Sequence, residues 1–216
     1  MERSGLTFLS IVNKQKQSFN TFQKILIFCK KNNIDLQLFI SPVHAKKLQL
    51  FYQIGLWDNF EYWKKEMLFI IKKNTPQYSL WDFTGYNEIT TESFPSIGDT
   101  KTQMKWYWES SHYKKETGDL ILNKMLNDQA QSDITNTFNF GVQLTSSNID
   151  SHLKKIRIER DLYGENHPEI INELDQLIIK TAPRRNKLIN QYPELTPLNY
   201  FKKLSLPLLN PNLSNE

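Results

Sequence analysis

The residues of this chain best suited to do chemistry lie in one short segment, Glu109 to His112. There a carboxylate precedes an imidazole by three residues, and a turn allows side chains at that spacing to meet. Histidine can accept a hydroxyl proton near neutral pH, and a neighbouring carboxylate fixes its tautomer and stabilises the imidazolium. The segment therefore predicts a carboxylate–histidine pair of the kind that activates a serine.

The same segment also has a purely structural interpretation. In it, His112 is a loop histidine that caps a helix expected at about 115–127, and Ser110 and Ser111 satisfy the free amides at the start of that helix. Spacing alone favours this interpretation, because a carboxylate three residues before a histidine is common by chance.

The composition indicates a water-soluble globular protein. The chain has 216 residues, a net charge of +4 and a mean hydropathy of −0.55. Its lysine pairs are scattered along the chain, whereas nucleic-acid binding needs basic charge on one face, so no nucleic-acid partner is expected. The single cysteine, Cys29, lies in an apolar helical run and is expected to be a small buried side chain.

No membrane segment is expected from the sequence. No apolar run reaches the length of about 18 residues that a bilayer requires, and the apolar run at 6–12 is too short for a signal peptide. As written, the chain carries no export address, which by itself would leave it in the cytoplasm.

Hydrophobic periodicity predicts an α/β protein. Apolar residues at helical spacing alternate with short apolar runs bounded by turn residues. The predicted helices are 13–33, 45–55, 57–73 and 115–127, the predicted strands are 34–40 and 79–83, and a loop covers 84–105. Strands separated by helical connections imply a parallel sheet. A third strand could lie at 6–12.

The remainder of the chain is expected to be helical. Residues 1–129 would form the α/β domain, 130–146 a polar linker and 147–216 a helical extension with an irregular, proline-rich end. Within the extension, three helices are predicted. Ser147 or Asn148 would cap the first, and the other two would cover 168–180 and 183–191.

Polar side chains follow both predicted strands at the points where those strands end. Ser41 and His44 come directly after the first strand, and Asp82 lies at the end of the second. Ligands bind at the carboxyl ends of parallel strands. We therefore expect Ser41, His44 and Asp82 to line a substrate pocket into which Glu109 and His112 also open.

With these motifs in place, the chain resembles the C-terminal half of SGNH (GDSL-like) hydrolases. The similarity rests on Asp82-Phe83-Thr84 after a strand, Trp108-Glu109-Ser110-Ser111-His112-Tyr113 after a loop, and Gly118-Asp119-Leu120-Ile121-Leu122 in the helix that follows. The chain is most similar to bacterial envelope members related to acyl-transfer proteins. The resemblance implies a three-layer, flavodoxin-like parallel sheet, and ester hydrolysis or O-acyl transfer on an acyl ester or carbohydrate. It implies no cofactor and a place in the cell envelope.

The resemblance also assigns roles to the pair. His112 matches the family's catalytic base, and Glu109 stands where the family has an aspartate, one methylene shorter. The Gly-Asp-Ser-like turn that carries the nucleophile in this family has no counterpart in the chain. We therefore expect a domain that is incomplete at its N-terminus and inactive or incomplete as a catalyst.

Two other functions are open from the sequence. One is a non-catalytic interaction protein that binds partners through the helical tail and a vestigial pocket. The other is a metal site built from His44, His112 and a carboxylate. Metal binding is less expected, because the chain has neither a cysteine cluster nor a His-x-x-x-His motif.

Overall fold

The computed structural model describes residues 8–96, 98–99, 101–126 and 140–191, with side chains between residues 17 and 183 of these ranges. Their helices are α1 (Phe8–Lys31), α2 (Ala45–Gln53), α3 (Trp57–Asn74), α4 (Lys115–Leu126), α5 (Ile149–Asn166) and α6 (Pro168–Gln191). Their strands are β1 (Leu38–Ile40), β2 (Leu80–Asp82) and β3 (Val142–Leu144). The α/β class expected from periodicity is confirmed at this coarse level.

The sheet is small and mixed. Its strand order is β1-β2-β3; β1 pairs with β2 in parallel, as predicted, whereas β3 pairs with β2 antiparallel. The expectation of an all-parallel sheet is therefore wrong for its third strand. That strand lies at the end of the segment predicted to be a linker, whose residues 130–139 fall outside the described ranges.

Two predicted boundaries need correction. A strand at 6–12 is wrong from residue 8 onward, because α1 already begins at Phe8. The two helices predicted at 168–180 and 183–191 form one helix, α6, which continues through Pro183. A proline removes one backbone hydrogen bond and usually ends or bends a helix, yet α6 continues past this one. The irregular end predicted beyond α6 lies outside the described residues.

Alternation along β2 sends its side chains to opposite faces of the sheet. Leu80 belongs to a core shared with α1, α3 and the first turns of α5, while Trp81 belongs to a second core that includes residues of α4. Asp82 follows in the same alternation, so it shares the face of Leu80. The polar end of β2 therefore faces α3 and α5.

The two cores account for most of the buried apolar residues. The first contains Leu26, Cys29, Ile40, Leu68, Ile70, Ile71, Tyr78, Leu80, Leu144, Ile149 and Leu153. The second contains Trp81, Phe83, Ile89, Met104, Tyr107, Ile121, Met125 and Phe140. Because Leu144, Ile149 and Leu153 lie in the first core, β3 and the start of α5 pack with the sheet.

Candidate functional site

The loop from Tyr107 to Tyr113 is a tight hairpin that presents the Glu109–His112 pair. Tyr107 and Tyr113 form an antiparallel bridge, and the N–H of Trp108 donates to the carbonyl of His112 at 2.8 Å. Tyr107 is fully buried and anchors one end of the hairpin in the second core. Because the hairpin is closed in this way, Glu109 and His112 lie on either side of its tip and their side chains meet.

Within the hairpin, Glu109 contacts His112 directly. Oε1 of the carboxylate contacts Nδ1 of the imidazole, and Oε2 accepts the N–H of Ser111 at 2.8 Å. Desolvation acts to raise the pKa of Glu109, but the hydrogen bonds from His112 and Ser111 outweigh it and lower that pKa. An ionised Glu109 accepts the Nδ1–H of the ring, which leaves Nε2 as the basic nitrogen.

The pair lies at the surface. The side chain of His112 is 80% exposed and that of Glu109 is 49% exposed. The predicted contact is therefore present, in an open setting that any substrate could reach.

The hairpin is attached to the start of α2. The N–H of His44 donates to the carbonyl of Ser110 at 3.1 Å, and Nζ of Lys47 donates to Oγ of Ser111 at 2.8 Å. The segment after β1 and the Glu109–His112 hairpin are thus adjacent. This is the part of the expected convergence that the structure displays.

His44 is engaged through both ring nitrogens. Nδ1 accepts the N–H of Lys46 at 3.1 Å, which caps α2, and Nε2 donates to the carbonyl of Glu92 at 2.6 Å. Its side chain is fully buried, and this burial lowers the pKa of His44 to about 4. Neither nitrogen is free for a ligand, whereas Ser41, three residues earlier, is exposed.

Asp82, the last of the predicted site residues, lies in a buried polar network. Oδ2 accepts Nζ of Lys64 from α3 at 2.7 Å, and Oδ1 accepts both the N–H and the hydroxyl of Thr84, at 2.9 and 2.7 Å. Nζ of Lys64 also donates to Oγ1 of Thr84 at 2.5 Å. Burial acts to raise the pKa of Asp82, but the Lys64 ammonium and the hydrogen bonds hold it far below its usual range.

His152 of α5 completes this network. Its Nε2 lies 3.0 Å from Oδ2 of Asp82, and its side chain is 91% buried. Because an ionised carboxylate can only accept, Nε2 carries the proton, and in the neutral ring Nδ1 is an acceptor. Asp82 and His152 thus form a second carboxylate–histidine pair, made from residues that are distant in the chain.

This second pair lies at a cavity of about 340 Å³. Asp82, Thr84 and His152 line it, together with residues from the segment after β2, from β3 and from α5. Glu109 and His112 do not line it. The described part of the chain therefore has two carboxylate–histidine pairs, one exposed on a hairpin and one at a cavity.

Sequence reasoning missed Lys64 and His152. Lys64 stands in the helical run of α3 and looks like a solvent-facing lysine, and His152 falls in the predicted extension. The one available signal was their periodicity. Lys64 lies among Phe60, Leu68 and Ile71 at helical spacing, and His152 lies beside Ile149, Leu153 and Ile156, so both positions fall on or next to an apolar face.

The fold and the two pairs define an α/β protein with a small mixed sheet and two candidate acid–base sites. Comparisons with protein-family models, with curated proteins and with solved structures find no match to this chain. Among the described residues, no helix is both long and apolar enough to cross a membrane. The same residues contain no group of three or more histidine, cysteine or acidic side chains placed to hold a metal ion.

Proposed function

We propose that the family chemistry of this chain is acyl-ester hydrolysis or O-acyl transfer, with His112 as general base and Glu109 as the carboxylate that orients it. Because the serine turn has no counterpart here, the apparatus is incomplete, and the chemistry left to the pair is activation of water or of an acceptor alcohol. The observation that carries the proposal is the contact between Oε1 of Glu109 and Nδ1 of His112. The hairpin that presents this contact is held by the Tyr107–Tyr113 bridge and by the hydrogen bond from the N–H of His44 to the carbonyl of Ser110. The resemblance of residues 82–84, 108–113 and 118–122 to SGNH hydrolases supports it.

The proposed chemistry uses the free nitrogen of His112. Nε2 takes a proton from water or from an acceptor alcohol as that oxygen bonds to the ester carbonyl carbon. When the carbon–oxygen bond to the leaving alcohol breaks, the proton passes from Nε2–H to the departing oxygen. Glu109 stabilises the transient imidazolium, and the products are an acid, or a new ester, and the released alcohol.

The test is the initial rate of p-nitrophenyl acetate hydrolysis by the purified chain. We expect His112→Ala to reduce the rate by about 10²-fold or more, the range of a lost general base. His167→Ala is the matched control: His167 stacks on the ring of Tyr163, donates from Nδ1 to the carbonyl of that residue at 2.9 Å, and takes no part in the hairpin. Thermal melts establish that each variant is folded.

If both variants keep the original rate, His112 has no catalytic role. If both lower the rate equally, the activity is general imidazole reactivity with this activated ester, and the proposal is also rejected.

A second candidate is a non-catalytic interaction protein. Large apolar side chains of α5 and α6 are exposed by 46–64%, namely Ile158, Leu162, Leu177 and Ile179. If they form a contact surface between two copies, sedimentation equilibrium should show self-association that Ile158→Glu and Ile179→Glu abolish. A monomer at all concentrations would exclude self-association through this surface.

A further inference from the structure

The cavity at His152 has a built polar lining. Four of its lining residues, Ser151, His152, Lys155 and Glu159, recur at three- and four-residue spacing and so share one face of α5, and Asn148 lines it from the position before the helix. The opposite wall is the segment that follows β2. The volume of about 340 Å³ is at the lower end of the range of small-molecule pockets, about 300–1,000 Å³.

Charge in the lining is balanced. Lys155 pairs with Glu159 at 3.6 Å, and Asp82 is neutralised by Lys64, whose Nζ lies 2.7 Å from Oδ2. Among the described residues these four charges cancel, so the two pairs leave no excess charge to attract an ion. This balance argues against a phosphate, a carboxylate or a metal ion as the natural occupant.

Hydrogen-bonding capacity in the lining is also mixed. Nδ1 of His152 and the carboxylate of Glu159 are acceptors, while Nζ of Lys155 is a donor. Asn87 uses its carbonyl oxygen for the N–H groups of Ile89 and Thr90, which leaves its amide group as a donor. A ligand with several hydroxyl groups can serve donors and acceptors at once.

Tyr86 is part of the cavity wall, but its hydroxyl is not a group that a ligand there can reach. That hydroxyl has almost no accessible surface and no hydrogen-bond partner within the described part of the chain. Burial raises the pKa of Tyr86 far above its usual value, so the group remains a hydroxyl. Recognition of a ligand therefore depends on the side chains of Asn87, His152, Lys155 and Glu159.

We propose that this cavity binds a neutral, hydroxyl-rich small molecule about the size of one sugar ring, with Nδ1 of His152 accepting a hydrogen bond from a hydroxyl group of the ligand. Asp82 acts as a positioning residue, because it holds Nε2–H and so presents the basic nitrogen of the ring. The proposal concerns a site separate from the Glu109–His112 hairpin and does not depend on ester chemistry there.

The test is an NMR titration of the full chain that follows the imidazole signals of its four histidines. The probe is methyl α-D-glucopyranoside, and sodium phosphate is the anionic comparison. We expect the glycoside to shift the His152 signals in a saturable way and to leave those of His112 and His167 unchanged. Phosphate should not produce this pattern.

Variants of the lining sharpen the test. Lys155→Met should weaken glycoside binding about three- to tenfold, the effect of one lost hydrogen bond. Lys154→Met, the adjacent exposed lysine that does not line the cavity, should leave binding unchanged. Ser151→Leu places bulk into the cavity from an exposed position on α5 and should abolish binding in a folded protein.

Three results would overturn the proposal. The first is a folded protein whose His152 signals do not respond to the glycoside. The second is a saturable response to phosphate in place of the glycoside, which would make this an anion site. The third is nonspecific contact. It would be shown either by an equal response of His112, His152 and His167 or by equal binding to Lys154→Met and Lys155→Met.

Discussion

His152 and Asp82 lie 70 residues apart in the chain, and their side chains meet at 3.0 Å in the interior. The contact fastens α5 to the end of β2 through Oδ2, the same oxygen that accepts Nζ of Lys64 from α3. One carboxylate therefore joins two helices to the sheet, and its charge is compensated from the α3 side. The same carboxylate sets the tautomer of a histidine that faces a cavity.

The first prediction concerns the buried pair of Lys64 and Asp82. Lys64→Met leaves Asp82 buried without its cation, and Asp82→Leu leaves the ammonium buried without its anion. Each single change should lower the free energy of unfolding by about 3–5 kcal/mol, the usual effect of breaking a buried pair from one side. Urea unfolding measures both values.

The double variant Lys64→Met/Asp82→Leu decides whether that loss is electrostatic. Because it leaves no uncompensated charge, it should be more stable than the sum of the single losses predicts, by at least about 1 kcal/mol. Strictly additive losses would mean that the two side chains contribute independently.

Element types and the parallel pairing of β1 with β2 were predictable from local pattern, whereas β3 and its pairing were not. The stripe of α3 and the short apolar runs ending at Ile40 and Asp82 correctly predict helix and strand. Strand β3 is three residues long, Val142–Leu144, in a polar stretch, so alternation has too few residues to register. Its antiparallel pairing depends on packing against residues far along the chain.

The second prediction is a pH dependence that arises at His44. Burial lowers the pKa of His44 to about 4, below the value of about 6.5 expected in the unfolded chain. Protonation therefore favours unfolding. Stability should be complete above about pH 6.5, fall as the pH drops towards 4 and level off below it, with a total loss of about 3 kcal/mol from this group.

The matched variant for this prediction is His44→Asn, since asparagine can still cap α2. Urea unfolding between pH 7 and 4.5 should show a shallower slope for the variant. Asp82 does not interfere in this window, because a group with a depressed pKa loses its contribution only below its unfolded value of about 4. Parallel slopes for the two proteins would exclude His44 as their source.

The third prediction compares two glycines with similar backbone angles. Gly141 has φ +85° and Gly98 has φ +89°, so an alanine at either position meets the same left-handed penalty of about 1–2 kcal/mol. A Cβ at Gly141 would also overlap the ring of Phe83, whereas at Gly98 it would meet no atom of the described residues within 4 Å.

Gly141→Ala should therefore lower the free energy of unfolding more than Gly98→Ala, by about a further 1–3 kcal/mol for the overlap. Thermal or urea unfolding of the two variants gives this difference directly. Equal losses would show that Phe83 moves aside without cost.

The two acid–base pairs differ in how visible they are in the sequence. Glu109 and His112 are close in the chain, so a turn is sufficient to bring them together. Asp82 and His152 meet only because β2 and α5 pack side by side, and no spacing rule connects residues on separate elements. Asp82 was singled out by its place at a strand end, but its partners Lys64 and His152 were not, since lysine and histidine on helices usually face solvent.

The last prediction addresses the charge of Glu109. Glu109→Gln keeps the shape of the side chain and removes the carboxylate that accepts Nδ1–H of His112. The amide can turn its NH₂ group towards Nδ1, which would place the ring proton on Nε2 and remove the basic nitrogen from the surface. We expect the rate of p-nitrophenyl acetate hydrolysis to fall at least about tenfold, within the range of a general base effect. Glu116→Gln, an exposed glutamate in the first turn of α4, is the matched control and should keep the original rate. If the two variants hydrolyse the ester equally fast, Glu109 does not orient His112, and the hairpin contact is purely structural.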